Sequence, residues 1–212
     1  GLVKDLFRQL PDDAEIIVGD DGSTDMTAKK QNHSIDKLSR CHYWESPLNI
    51  GRASIRNRLA EMAQGDWLLF TDSDAAVKDN QFISRYLTYL NADVVIGGTT
   101  LPDQCPSDEV SLRYKYEKLY WERHNAMERN KSPYNSFTTF NFLIKKSTFI
   151  TLKFDENIRQ YGHEDTLFGL AMKSKGINII HIDNPLIHMG LEPNVDYLKK
   201  VEISLHMLKS MK

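Results

Sequence analysis

Residues 15–25 read EIIVGDDGSTD, and residues 67–74 read WLLFTDSD. In both stretches a short apolar run ends in carboxylates, a pattern typical of a buried strand with a polar carboxyl end. Helical periodicity follows each of them, at residues 51–64 and 82–90, and residues 93–97 add a β-branched strand. This alternation predicts an α/β fold with a largely parallel sheet, in which ligands bind beyond the carboxyl ends of the strands.

The rest of the chain predicts further elements of both kinds. We expect extended structure at residues 137–145 and 177–182, and helices at residues 1–10, 108–129 and 165–175 and near the carboxyl terminus. No internal repeat or interdomain linker interrupts them. A chain of 212 residues is long enough for one domain with a sizeable core.

Composition excludes several classes of protein. A net charge of -2 argues against nucleic acid as a partner, because binding to phosphate backbones requires an excess of Lys and Arg. Two cysteines, Cys41 and Cys105, cannot form a disulfide framework. No apolar run approaches the roughly 18 residues that span a membrane. We expect a cytoplasmic location, with peripheral association at the inner face of a membrane as the alternative.

The triplet Asp72-Ser73-Asp74 directly follows an apolar strand. If both carboxylates point to one side, they could share Mg²⁺ or Mn²⁺ and leave positions open for a diphosphate. A surface turn is the simpler interpretation. Haloacid-dehalogenase-like phosphatases also carry Asp-x-Asp after a strand, but their motif continues to Thr or Val where this chain has Ala76. A metal-dependent phosphatase or nucleotidyltransferase therefore stays open as an alternative.

Four motifs occur in a defined order along the chain. They are EIIVGDDGSTD at residues 15–25, NIGRASIRNRLA at 49–60, DSD at 72–74, and FDE at 154–156 followed by YGHED at 161–165. In this order they resemble the inverting family 2 glycosyltransferases. The resemblance implies a single GT-A-like, Rossmann-like domain over residues 1–212, with a mostly parallel central sheet flanked by helices. It also implies that the family's usual first strand is missing, because the chain starts at helix-like residues.

The resemblance assigns the donor side of the site. Asp20 or Asp21 would contact the nucleobase or ribose, and Arg56 the base or diphosphate of the nucleotide. A carboxylate can accept a hydrogen bond from an imide N–H, which favours a UDP-linked sugar. A polar turn for the two aspartates, and a surface ion pair for Arg56, are the structural alternatives.

Mn²⁺ or Mg²⁺ is the implied cofactor, and His188 resembles the histidine that completes the metal site in relatives. The resemblance therefore implies a metal site of Asp74, Asp72 and His188, with Asp72 also near the donor. Imidazole is a plausible third ligand for Mn²⁺. An isolated histidine is more often structural.

The acceptor side is assigned in the same way. Asp165 would be the general base that removes a proton from the acceptor hydroxyl as an oxocarbenium-like transition state develops, and Glu164 would orient a substrate. Carboxylates in the first turn of a helix are also favourable by themselves. His163 and Asn141 are weaker candidates for substrate contact, and aromatic residues at 114, 116, 120 and 121 could pack against sugar.

The function implied is metal-dependent, inverting transfer from a nucleotide diphosphate sugar to a glycan or other hydroxyl acceptor. Besides the phosphatase, a second alternative is a binding protein that retains the nucleotide-sugar pocket without catalysis. Donor sugar, acceptor and linkage cannot be read from these residues.

Overall fold

The computed structural model describes residues 1–158 and 163–210, without the side chains of residues 207, 208 and 210. Tyr161 and Gly162 of the YGHED motif lie outside this part of the chain. The strands are β1 Ile16–Asp20, β2 Cys41–Glu45, β3 Trp67–Thr71, β4 Ala75–Ala76, β5 Val94–Ile96, β6 Thr99–Thr100, β7 Asn141–Lys145, β8 Ile179–His181 and β9 Leu186–His188. The helices are α1 Leu2–Phe7, α2 Met26–Asn32, α3 Arg52–Met62, α4 Phe82–Leu87, α5 Ser111–Arg123, α6 Ala126–Arg129, α7 Lys146–Leu152, α8 Glu164–Ser174 and α9 Asn194–Ser210.

The strands form three sheets. β1 pairs with β2, the central sheet has the order β3-β7-β5-β8, and a small sheet has the order β4-β9-β6. The predicted strands at residues 15–19, 67–71 and 93–97 are confirmed as β1, β3 and β5, and the polar end of β3 leads directly into the Asp72-Ser73-Asp74 turn.

The expectation of a mostly parallel sheet needs correction, because the sheets are mixed. β7 lies between β3 and β5 and runs antiparallel to both, and β4 is antiparallel to β9. The pairs β1–β2, β5–β8 and β6–β9 are parallel. The hydrophobic pattern of a strand does not indicate whether it runs parallel or antiparallel to its neighbours, because a strand buried on both faces is a continuous apolar run in either case.

The central sheet is buried on both faces. Successive side chains of a strand point to opposite faces, so Val94 and Ile96 join one apolar cluster and Val95 joins the other. The first cluster contains a group of phenylalanines, in which Phe70 stacks on Phe142 with ring centroids 4.8 Å apart. The sheet edge that carries the DSD triplet is therefore anchored in a rigid core.

Helix α3 packs differently from its predicted apolar face. Its buried residues are Ala53, Arg56, Asn57 and Ala60, whereas Ile55 and Leu59 are half-buried against Gly19 of β1. The Asn57 side chain donates to the Phe154 carbonyl at 3.0 Å and accepts from the Phe154 amide at 2.9 Å. This helix thus brings a polar face to the site, which periodicity did not indicate.

None of the helices in the described part of the chain combines the length and the apolar character needed to cross a bilayer. Cys41 is buried and Cys105 exposed, and both are free thiols.

Candidate active site

The first carboxylate at the end of β1 is held by its own turn. Asp20 accepts hydrogen bonds from the Ser23 amide at 2.6 Å and the Tyr43 hydroxyl at 2.9 Å. Burial, and then the hydrogen bond to Asp20, raise the pKa of Tyr43 to about 12. The phenol therefore remains a donor, and β2 fixes the orientation of Asp20.

The second carboxylate joins two of the sequence motifs. Asp21 accepts from the backbone amides of Ile50 and Gly51, at 2.7 and 3.0 Å, and so ties the end of β1 to the start of α3. Gly22, the residue after Asp21, has φ 74°, and a Cβ at this position would lie 2.5 Å from the Asn49 amide nitrogen. Only glycine fits that turn without displacing backbone.

Arg56 connects the DSD triplet to the acidic pair of α8. Its side chain is buried, its Nη2 lies 2.9 Å from Asp72 Oδ1, and its Nη1 lies 3.6 Å from Glu164 Oε1. The guanidinium carbon is also 5.7 Å from the centre of the Phe154 ring. Among the described residues Nη1 makes no hydrogen bond, and the nearby Glu164 carboxylate compensates its charge.

Asp74, the other carboxylate of the triplet, faces β9 and α5. His188 Nε2 lies 3.5 Å from Asp74 Oδ2, and His188 Nδ1 donates to Glu117 Oε2 at 2.8 Å. Glu117 in turn accepts from Arg113 Nε at 2.7 Å, one helical turn earlier on α5. A histidine held by a carboxylate at one ring nitrogen presents the other nitrogen in a fixed direction.

Electrostatics favour the ionised forms in this group. Burial opposes the charged imidazolium, but hydrogen bonds to Asp74 and Glu117 outweigh it and raise the pKa of His188 to about 9. The hydrogen bond from His188 lowers the pKa of Asp74 despite its partial burial. Two carboxylates therefore share one imidazole at this edge.

The predicted metal site of three side chains needs correction. Over residues 1–158 and 163–210, no group of three His, Cys, Asp or Glu side chains is placed to hold a metal ion. Asp74 and His188 are adjacent, but Asp72 is bound to Arg56. The two aspartates thus have different partners, Arg56 for Asp72 and His188 for Asp74.

The acidic pair begins helix α8, and its two members differ in exposure. Glu164 is buried, with Arg52 Nη1 at 3.9 Å in addition to Arg56. Asp165 is half-buried, and its Oδ1 accepts from the Thr166 amide at 2.7 Å. Burial, and then the negative charge of Glu164, raise the pKa of Asp165. Of the two, Asp165 has the character of a proton acceptor open to a ligand.

Two weaker candidates are engaged in internal contacts. His163 Nε2 lies 3.1 Å from the Ser204 carbonyl of α9, so its ring links α8 to the carboxyl-terminal helix. The expected sugar contact of Asn141 is wrong, because its side chain is 1% exposed and fully bonded. Its Oδ1 accepts from Tyr86, and its Nδ2 donates to the carbonyls of Gly98 and Asn184.

Asn141→Ala is expected to destabilise the fold by about 2 to 3 kcal/mol, because buried partners lose their hydrogen bonds. Urea denaturation should show a lower midpoint with an unchanged slope. Asn91→Ala, at an exposed position, is the matched control and should be nearly neutral. A fully stable Asn141→Ala with weakened donor binding would restore the ligand role.

Sequence reasoning missed Glu117 and Arg113. Their spacing of four residues on a helix is a common surface ion pair, and nothing in it indicates burial against His188. The pairing arises from tertiary packing, since α6, β7, α7, α8 and β8 lie between α5 and β9 in the sequence.

Comparisons with known proteins bear on this arrangement. Residues 1–150 match the model of glycosyl transferase family 2. An uncharacterized glycosyltransferase of Haemophilus influenzae is 42% identical over 158 residues, which cover 74% of this chain and 58% of that protein. The chain thus spans less than two thirds of the length of this relative.

Solved structures share the fold. S. aureus TarS, residues 1–349 in complex with UDP, has a TM-score of 0.62 at 18% identity, covering 88% of this chain and 54% of that one. The mannosyltransferase PcManGT of Pyrobaculum calidifontis, in complex with GDP-Man and Mn²⁺, has a TM-score of 0.61 at 16% identity, covering 88% and 51%. These matches confirm the expected single α/β domain of GT-A type.

Proposed function

The chain belongs to glycosyl transferase family 2, and on that premise we propose that it transfers a sugar from a nucleotide diphosphate sugar to a hydroxyl acceptor with inversion. The observation that carries the proposal is Arg56, which draws the DSD triplet and the Glu164-Asp165 pair to one edge of the fold. Three motifs far apart in sequence thereby meet around one guanidinium group.

The donor is proposed to be UDP-linked. Asp20 and Asp21 lie at the carboxyl end of β1, and a carboxylate there can accept the imide N–H of uracil. TarS was solved with UDP and PcManGT with GDP-Man, so the fold alone does not set the base. Both aspartates also stabilise turns, and their remaining lone pairs are the ones proposed to face the nucleoside.

A divalent cation, Mn²⁺ or Mg²⁺, is proposed to bind at Asp74 and His188. The pair fits, because a carboxylate oxygen and an imidazole nitrogen lie 3.5 Å apart and Glu117 orients the ring. The cation would take the place of the proton that His188 Nε2 shares with Asp74, and binding would release that proton. Such ions commonly use one or two protein ligands together with substrate phosphates. When bound, the cation would stabilise negative charge on the departing diphosphate.

The chain's own residues supply the rest of the mechanism. Asp165 accepts the proton of the acceptor hydroxyl at its carboxylate while that oxygen bonds to the anomeric carbon and the bond to the diphosphate breaks. Its raised pKa makes it a stronger base than an ordinary aspartate. Arg56 links Glu164 at the start of α8 to Asp72, which holds Asp165 beside the proposed donor site.

UDP is expected to bind much more tightly with Mn²⁺ than without it, because Asp72, Asp74 and a diphosphate otherwise bring like charges together. Calorimetric titration with UDP in Mn²⁺, repeated in excess chelator, measures the difference. Equal affinity in both conditions would remove the metal from the proposal.

A screen of nucleotide sugars and hydroxyl acceptors tests the reaction class. Transfer to an acceptor with release of the nucleoside diphosphate supports the proposal. Release of inorganic phosphate without transfer would identify a phosphatase, and tight binding without transfer or donor hydrolysis would identify a binding protein.

A further inference from the structure

A cavity of about 360 Å³ opens between α5, the loop after β6 and the segment that leads into β9. Its lining includes Tyr114, Lys118, Trp121 and Glu122 of α5 and Asp103 of the loop. None of these residues belongs to the motifs described above. The volume falls within the range of small-molecule sites, about 300 to 1,000 Å³.

Two connections place this cavity beside the candidate metal pair. Trp121 lies four residues after Glu117 on α5, so the two side chains are neighbours on adjacent turns. β6, whose Thr99 and Thr100 line the cavity, pairs with β9 immediately before His188. A ligand in the cavity is therefore within about one helical turn of the carboxylate that holds His188.

The wall of the cavity is fixed before any ligand binds. The Tyr114 hydroxyl donates to the carbonyls of Pro102 and Asp103, at 3.0 and 3.1 Å, which fastens the loop to α5. Trp121 is half-buried, with the Arg129 guanidinium carbon 5.8 Å from its ring centre. A tryptophan held in this way offers a rigid apolar surface at low entropic cost.

The charges favour a neutral, hydroxyl-rich ligand over an anion. Buried Arg129 is used up internally, because it donates to His181 Nδ1 at 3.2 Å and to the carbonyls of His124 and Ile182 at 2.6 and 2.8 Å. Asp183 lies 3.9 Å from Arg129, and the remaining cation, Lys118, is outnumbered by the other two cavity carboxylates, Asp103 and Glu122. Within the described residues, neither Lys118 nor Glu122 forms an ion pair, so both can bind hydroxyls.

We propose that this cavity binds a neutral pyranose residue of the acceptor, with one sugar face against Trp121 and its hydroxyls bonded to Glu122, Asp103 and Lys118. Aromatic rings pack against the C–H face of a sugar, and carboxylates accept its hydroxyl protons. The role as acceptor subsite rests on the proposed glycosyl transfer, whereas sugar binding as such does not.

The probes are methyl pyranosides of the gluco, galacto and N-acetylglucosamine types, at millimolar concentration, followed by saturation-transfer NMR and tryptophan fluorescence. At least one should bind, and Trp121→Ala should weaken its binding by about tenfold or more. Trp121→Phe, which keeps an aromatic face, should restore most of the affinity. Trp44→Phe on β2, outside the cavity, is the control and should bind like the parent.

UDP titration in Mn²⁺ separates this inference from the proposed function. Intact UDP binding and donor hydrolysis in Trp121→Ala, with a raised KM for the acceptor alone, is the expected result. The cavity assignment is overturned if no pyranoside binds the folded parent, if Trp121→Ala binds it equally well, or if inorganic phosphate competes for the cavity. Loss of UDP binding by the parent would instead count against the proposed function, and the pyranoside data would still decide the cavity.

Discussion

Asp165→Asn is expected to lower the rate of sugar transfer by about 100- to 10,000-fold, the usual contribution of a general base. Asparagine keeps the size of the side chain and removes the proton-accepting carboxylate. UDP affinity in Mn²⁺ should change little, because Asp165 lies on α8, apart from the Asp74–His188 pair. Single-turnover transfer to a competent acceptor, together with UDP titration, measures both effects.

The comparison needs an acceptor, since slow hydrolysis of the donor uses water and depends less on the base. Asp12→Asn, at an exposed position before β1, is the matched control and should transfer at the parental rate. If Asp165→Asn transfers sugar at the parental rate, Asp165 is not the general base, and that role belongs to Glu164 or to a residue outside the motif.

The pH profile offers a second view of the same residue. An ordinary aspartate has a pKa of about 3.9. Because burial and Glu164 raise the pKa of Asp165, its reactive carboxylate should form at a higher pH than that. Transfer should therefore rise with pH through that raised pKa. Glu164→Gln removes the neighbouring charge and should shift this acid limb to lower pH, whereas an unshifted limb would assign it to another group.

Asp74→Asn is expected to weaken Mn²⁺ binding by more than the 10- to 100-fold typical of outer-shell partners, since its carboxylate would contact the ion directly. Glu117→Gln, which acts only through His188, should fall within roughly that 10- to 100-fold range. Mn²⁺ titration followed by electron paramagnetic resonance gives both affinities without reference to activity.

Asp66→Asn, at the other end of β3, provides the control and should bind Mn²⁺ like the parent. Thermal unfolding of each variant checks that the fold is retained. If Asp74→Asn binds Mn²⁺ as tightly as Asp66→Asn, the cation is held elsewhere, and the Asp74–His188 contact is an ion pair of the fold.

Local pattern was enough to predict the elements that carry the site. β1 and β3 were predicted because each is a short apolar run ending in aspartates, and Asp25 caps α2 as its residue type suggests. The family resemblance, confirmed by the family match, supplied the roles of Asp165 and Asp74 that now stand as proposals.

Features set by long-range packing could not be predicted in this way. The sequence predicted an apolar buried face for α3, yet Arg56 is buried there. Its charge is compensated by Asp72 and Glu164, which come from distant segments of the chain. Asn141 was predicted to contact a ligand, but its buried side chain forms hydrogen bonds with Tyr86, Gly98 and Asn184. Neither environment is visible in the neighbouring sequence.

The split orientation of the DSD triplet has an evolutionary consequence. Asp72 binds Arg56 of α3, while Asp74 faces His188 and, through it, Glu117 of α5. The α5 residues that line the cavity, such as Lys118, Trp121 and Glu122, are in none of the contacts described for Arg56. The effects of substitutions there on free energy should therefore add to those of substitutions on α3. Under the proposed function, acceptor preference can change through substitutions at Lys118, Trp121 and Glu122, while Glu117 of the same helix and Arg56 of α3 keep the donor side unchanged.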